Sequence, residues 1–440
     1  MNRWVALLLL VTSMIVPVEV AAQGDAETDA FNPDETVVRY IRAYGGSNEL
    51  SPPIVLLSGN STAAGIGSSV ATVEFDISAP IIPNVYAQIV HCNADWSEDG
   101  NGFLTSVMQR TSLIDWIPAP QRARYYAYRG KLQIPNPQLE LRFSGNWKVK
   151  IYDMDSDRLL AETRVFVVDQ QAFLRLQFMT DFYEPTARVS STALTLEAIV
   201  DAPRTSLLDG FQHTVVFYRN HRWAEPYVVS AKYREDVTRD QAGTAVRGFF
   251  PNAKIFRLSR VPAQNEYRVL DLTNLAMFPN TGEAVRLPLS DQRRNGMFDR
   301  RSNDGALVTT MVSTAYDEYV PLEFVLDPAP GYPSLDDVFV VGSFNNWTAD
   351  PAWMMRFDER QGRYRLRQWV RRGMHDYLYA TGRVDLQQNT VQRLSYEEWE
   401  GNTASASTSW IAFAYYTMQD YGGYDGLIAV GASNIYQGGR

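Results

Sequence analysis

Cysteine is all but absent from this 440-residue chain: Cys92 stands alone, so no intramolecular disulfide can form and packing must hold the fold. Histidine is scarce too, with four residues at 91, 213, 221 and 375, and no pair among them shows metal-ligand spacing. Basic side chains are outnumbered, 41 against 50 acidic, and the resulting formal charge of −9 argues against nucleic acid, whose phosphates demand basic clusters. After the N-terminal segment no stretch offers the ~18 uninterrupted apolar residues that span a bilayer as a helix. Also missing are a Gly-x-Ser-x-Gly nucleophile motif, a phosphate-binding loop and any sustained helical periodicity. The expectation is a protein that is not an enzyme and that needs no cofactor.

What the chain does have begins with residues 1–22. One early charge (Arg3), an apolar run from Trp4 to Val18, and small residues at Val20-Ala21-Ala22 read as a cleavable export signal. A flexible N-terminus is expected over 23–33. Thereafter the pattern is strands and turns: 37–43, 71–77, 84–90, 148–152 and 163–168 alternate with the period of two that marks half-buried strands. The expected fold class is all-β, three consecutive β-sandwich domains of immunoglobulin-like or early-set type at 34–168, 169–326 and 327–436. The turn-rich Asp327-Pro328-Ala329-Pro330-Gly331-Tyr332-Pro333 reads as the linker into the last of them. A hydrophobic fraction of 45% with 12% aromatics is enough for real cores.

Few constellations could carry chemistry. His91, Cys92 and Asp95 contain the residue types of a thiol-imidazole pair, but neighbours in a strand point to opposite faces, so adjacency does not make a nucleophile. Asp153-Met154-Asp155-Ser156-Asp157 looks like half a calcium loop, yet Arg158 and Arg164 stand where the glycine and the terminal glutamate belong; a solvated hairpin turn is expected. Gly342-Ser343-Phe344-Asn345-Asn346-Trp347 closes a strand at a glycine and turns a corner on two aromatics. This corner resembles the "G-x-F-N-x-W" corner of glycogen-binding carbohydrate modules, although Arg383 and Val384 occupy the region of those modules' second tryptophan. Glycan is therefore a doubtful ligand.

The chain as a whole resembles the plug proteins of the type IX secretion system. The first domain carries the likeness in His91-Cys92-Asn93-Ala94-Asp95-Trp96, in Ile134-Pro135-Asn136 and in Ser144-Gly145-Asn146-Trp147. The middle contributes Asn265-Glu266-Tyr267-Arg268-Val269-Leu270-Asp271 and Asn303-Asp304-Gly305, the end Trp410-Ile411-Ala412-Phe413 and Tyr424-Asp425-Gly426. The residues singled out, as structural or interface positions, are His91, Asn93, Asp95, Trp96, Ser144, Gly145, Asn146, Arg268, Asp271, Gly342, Phe344, Asn345, Trp347, Tyr424 and Asp425. The resemblance implies a non-enzymatic periplasmic protein, peripheral to the outer membrane, that covers the periplasmic opening of the translocon β-barrel when no cargo is engaged. A carbohydrate-binding exported protein and a structural adaptor of the secretion machinery are the rival expectations. Substitution of His91 or Asp95 is expected to lower stability before it alters partner binding.

Overall fold

A computed structural model describes residues 35–57, 66–106, 108–201, 213–230, 242–249, 253–294, 304–329 and 331–435. The expected export signal and flexible N-terminus, and Asn303, lie outside them. The regular structure among the described residues is almost entirely strand, which is the expected all-β class, and the strands form three lobes.

In the first lobe a four-stranded sheet, in the order Val37–Gly45, Ala71–Ser78, Tyr128–Ile134 and Asp115–Pro118, faces a five-stranded one. That second sheet runs Ile54–Leu56, Leu159–Val168, Gly145–Asp153, Val85–Cys92 and Arg110–Thr111. Val73, Phe75, Ile89, Trp147, Val149, Val165 and Val167 fill the space between them. The alternation read from the sequence sets these inward, since every second side chain of a strand shares a face.

The middle lobe sets Phe173–Phe182, Thr192–Asp201, Ala253–Pro262 and Gly243–Phe249 against a sheet ordered Tyr227–Ser230, His213–Arg219, Thr408–Met418 and Tyr424–Ile435. The third lobe is a nine-stranded sheet that curls over its own core of Val320, Leu322, Phe324, Val338, Val340, Tyr379 and Trp399. It curls because the short strand Met354–Asp358 pairs with Asp337–Gly342 through its first residues and with Arg363–Arg371 through its last.

Two boundaries therefore differ from the expected 169–326 and 327–436. Arg268–Asp271 and Tyr319–Asp327 pair with Met374–Asp385 and Arg363–Arg371, so they belong to the third lobe, and the proline-rich turn after Asp327 joins two of its strands. The hairpin Thr408–Met418 to Tyr424–Ile435 pairs with His213–Arg219 and completes the middle lobe. The reason is apolarity on both faces. Trp410, Ala412 and Ala414 enter the middle-lobe core, while Ile411, Phe413 and Tyr415 face the other way onto Phe166 and Val168 of the first lobe. A strand with two apolar faces must be covered on both, and the space between the first and middle lobes does this.

Candidate functional site

The family-motif residues of the first lobe converge on one joint. Val85–Cys92, which ends on His91 and Cys92, pairs with the start of Gly145–Asp153, and the chain then turns through 93–96. The His91 ring is fully buried, edge-on to Trp147 at 5.1 Å and to Tyr424 at 5.5 Å. Its Nε2 lies 3.2 Å from the Ser144 carbonyl and its Nδ1 against the Asp99 carboxylate. Gly145 must be glycine here: its φ is +139°, and an added Cβ would stand 2.2 Å from His91 Nε2.

Asn146 is the central connector. It is fully buried, its Nδ2 donates to the carbonyls of Asn93 (3.0 Å) and Ala94 (3.3 Å), and its Oδ1 accepts from Tyr415 Oη at 2.7 Å. Asp425 accepts from the Ala94 N–H at 3.3 Å and from Thr417 Oγ1 at 3.0 Å. Trp96, held at φ +70°, donates from Nε1 to Tyr218 Oη at 2.8 Å and packs edge-on to Phe166. Phe166 in turn stacks on Phe413, with 4.1 Å between ring centroids and 10° between planes. Asn93 bonds to Ser97 within its own turn.

One expectation needs correcting in detail. Asp95, whose substitution is expected above to lower stability, is exposed and caps only its own turn, accepting from Ser97 N–H (2.9 Å) and Oγ (2.6 Å). The carboxylate that meets His91 belongs to Asp99. Cys92 points to the opposite face from His91, into the apolar layer between lobes, where burial pushes its thiol pKa up to about 12. A thiol so placed is neutral and no nucleophile at ordinary pH.

The remaining singled-out residues build other joints. Arg268 donates from Nε to both oxygens of buried Glu400 (2.9 and 3.1 Å) and from Nη2 to the Gln292 carbonyl (2.7 Å), tying three segments of the third lobe. Asp271 caps a surface turn at Thr273. At the Gly342 corner, Asn345 Oδ1 accepts from the Gly342 N–H at 2.9 Å, Phe344 stacks on Trp353, and a Cβ on Gly342 would lie 2.6 Å from the Asp376 carbonyl. Trp347 is buried: its Nε1 donates to the Gly305 carbonyl at 2.8 Å, and its ring lies beside Tyr267 and under the Arg222 guanidinium of the middle lobe. It offers no stacking face to a sugar.

The first and third lobes meet through buried charge. Glu74 receives Arg42 (2.8 Å), Arg371 (2.5 Å) and Lys131 (2.7 Å). Asp76 receives Arg129 Nε at 2.6 Å and Tyr319 Oη at 2.8 Å, and Arg129 also reaches Asp317. Burial by itself would raise the Glu74 pKa, but the surrounding Arg371, Arg42, Arg129 and Lys131 hold it well below the usual carboxylate range. Nothing in the sequence pattern announced this network. Its acids and bases are scattered from 42 to 371, and only the sheet pairings bring them together.

These geometries describe joints between lobes, with donors matched to acceptors and rings matched to rings, and no activated nucleophile among them. Comparison with known proteins agrees with the family resemblance over the first lobe. The family described as "Type 9 secretion system plug protein 1st domain" matches residues 38–170, which is the extent of the first lobe. No curated protein matches the chain. A crystal structure of a hypothetical protein from Parabacteroides merdae ATCC 43184 is similar with a TM-score of 0.72 and 16% identity, covering 91% of this chain and 98% of that one. At that identity the likeness speaks for the fold.

Proposed function

We propose, from the premise that residues 38–170 are a type IX secretion system plug domain, that this protein covers the periplasmic opening of the outer-membrane translocon barrel when no cargo is engaged. It acts without catalysis, from the periplasm, peripheral to the outer membrane. The plug-domain match carries the reading. The way the lobes are joined supports it: a stopper has to resist deformation, and here each pair of lobes shares a buried junction. Phe166 on Phe413 joins first to middle, Glu74 with Arg371 first to third, and Arg222 over Trp347 middle to third. Rings stacked at van der Waals distance and buried ion pairs leave little freedom for hinge motion.

The test is a pull-down of the tagged protein from its own solubilised outer membranes, with co-purifying chains identified by mass spectrometry. A very large β-barrel among them is the expected result. Recovery of secretion components without any barrel would move the protein to an adaptor role, and retention on α-glucan resin with no secretion component would sink both. Burial of Trp347 speaks against that last outcome.

A further inference from the structure

Between the first and third lobes lies a cleft of about 1150 Å³, bordered by Arg371 of the buried charge network and by the Gly342 corner. One wall is the outer start of Val37–Gly45 together with Tyr125. The other is formed by Arg363–Arg371, the neighbouring part of Tyr319–Asp327 and the corner after Gly342. Three observations converge on it.

The first is charge. Five arginines line the cleft; Arg371 is already answered by Glu74, so four face Glu323 and Asp358, an excess of two positive charges (4 − 2) on a chain whose formal charge is −9. The second is hydrogen bonding. Glu323 is already engaged by Arg365 (2.8 Å) and Arg367 (3.3 Å), and Asp358 caps its own turn at Arg360 and Gln361. Arg39 Nε and Trp369 Nε1, by contrast, are buried with no hydrogen-bond partner among the described residues. Both are donors. They sit at the two ends of one stack, the Arg39 guanidinium 4.7 Å from the Tyr125 ring centre and Tyr125 stacked on Trp369 at 5.2 Å and 15°. A buried N–H without a partner carries an unrecovered desolvation cost, which a bound acceptor would offset.

The third is the sheet edge. Arg363–Arg371 pairs with Tyr319–Asp327 along its length, but on its other side it pairs with Met354–Asp358 only at Arg363, Tyr364 and Arg365. From Leu366 onward that side has no strand beside it among the described residues, and Leu366 to Trp369 line the cleft. An edge of this kind accepts an added strand.

We propose that this cleft docks an extended, acidic peptide segment of a partner protein. A main chain laid along the Leu366 to Trp369 edge supplies carbonyls as acceptors, and its carboxylates meet the arginines. A neutral sugar leaves the charge excess unanswered and lays no strand along the edge. A free phosphate answers the charge and leaves the edge unused. The proposal stands apart from the plug reading, since it does not specify which protein carries the segment.

The experiment is fluorescence anisotropy of the full chain with a fluorescein-labelled peptide alternating Glu and Val, against the same peptide with Lys in place of Glu. Sodium phosphate and maltoheptaose serve as competitors. Saturable binding of the Glu peptide alone is expected, with affinity about tenfold weaker in Arg39→Gln and in Trp369→Phe, the loss expected for one charge-assisted or buried hydrogen bond. Trp369→Phe keeps the stacked ring and loses only the N–H, so it decides the matter if Arg39→Gln fails to fold. Equal binding of both peptides, displacement by phosphate or maltoheptaose at the peptide's own concentration, or unchanged affinity in the folded variants would overturn the proposal.

Discussion

Gly145 shows how narrowly the joint residues are specified. Its φ of +139° and the 2.2 Å separation between a built Cβ and His91 Nε2 leave no room for alanine unless the imidazole moves. Gly145→Ala is expected to cost roughly 2–4 kcal/mol, strain plus lost ring packing, read as a lower denaturant midpoint. Asn146→Ala strands Tyr415 Oη and two carbonyls together, an expected loss of roughly 2–3 kcal/mol. Asp95→Ala removes only a turn cap on the surface and should stay within about 1 kcal/mol by the same assay. Cys92 should resist a thiol reagent in the native protein and react fully once the protein is unfolded; fast native labelling would contradict its burial. The residue types of this joint were legible in the sequence through the likeness of 91–96 and 144–147 to a family signature. Their partners were not. Asp99 and Tyr415 become partners only after the chain has folded back, and Asp99 lies outside the 91–96 run that the resemblance singled out.

At the scale of elements, strands were readable because a period of two depends on neighbouring residues alone. Val37–Gly45, Ala71–Ser78, Val85–Cys92, Gly145–Asp153 and Leu159–Val168 all lie where alternation put them. Partner strands were harder to read. Ile411, Phe413 and Tyr415 look like one face of a core strand whichever lobe receives them, so sequence order assigned the hairpin to the third domain. A fragment comprising 327–436 is accordingly expected to lack cooperative thermal unfolding, since it carries a hairpin without its mate His213–Arg219 and lacks Tyr319–Asp327. A sharp, reversible transition in that fragment would show that the sheet assignment above does not govern stability.

For the whole molecule, buried ionisable groups set the response to pH. Glu74 has its pKa held below the ordinary 4.5, so the unfolded chain takes up that proton first. The stability it supplies is complete above ~4.5 and disappears as pH falls through the depressed folded value. His375, fully buried between Ser343 Oγ and the Arg371 carbonyl, has its pKa lowered by burial from 6.5 to about 4. Its contribution is complete above 6.5 and declines between 6.5 and 4, because in that window the unfolded chain binds the proton and the folded one does not. The melting temperature should therefore begin to fall below pH 6.5 and fall more steeply below 4.5. His375→Gln is expected to shrink the first decline and Glu74→Gln the second. Glu74→Gln should also lower stability at neutral pH by roughly 3–5 kcal/mol, because it leaves buried arginines uncompensated.

The contact between Ala94 and Asp425 spans 331 positions, and this separation has a bearing on how the protein is made. The aromatic socket around Phe166 and Tyr218 leaves the ribosome well before Phe413, its cover, has been synthesised. At about 5–20 residues per second the delay is roughly tens of seconds. For that interval the nascent chain displays a sticky sheet face with nothing of its own to put on it, so chains stalled before Thr408 should be the ones that aggregate or recruit a holdase.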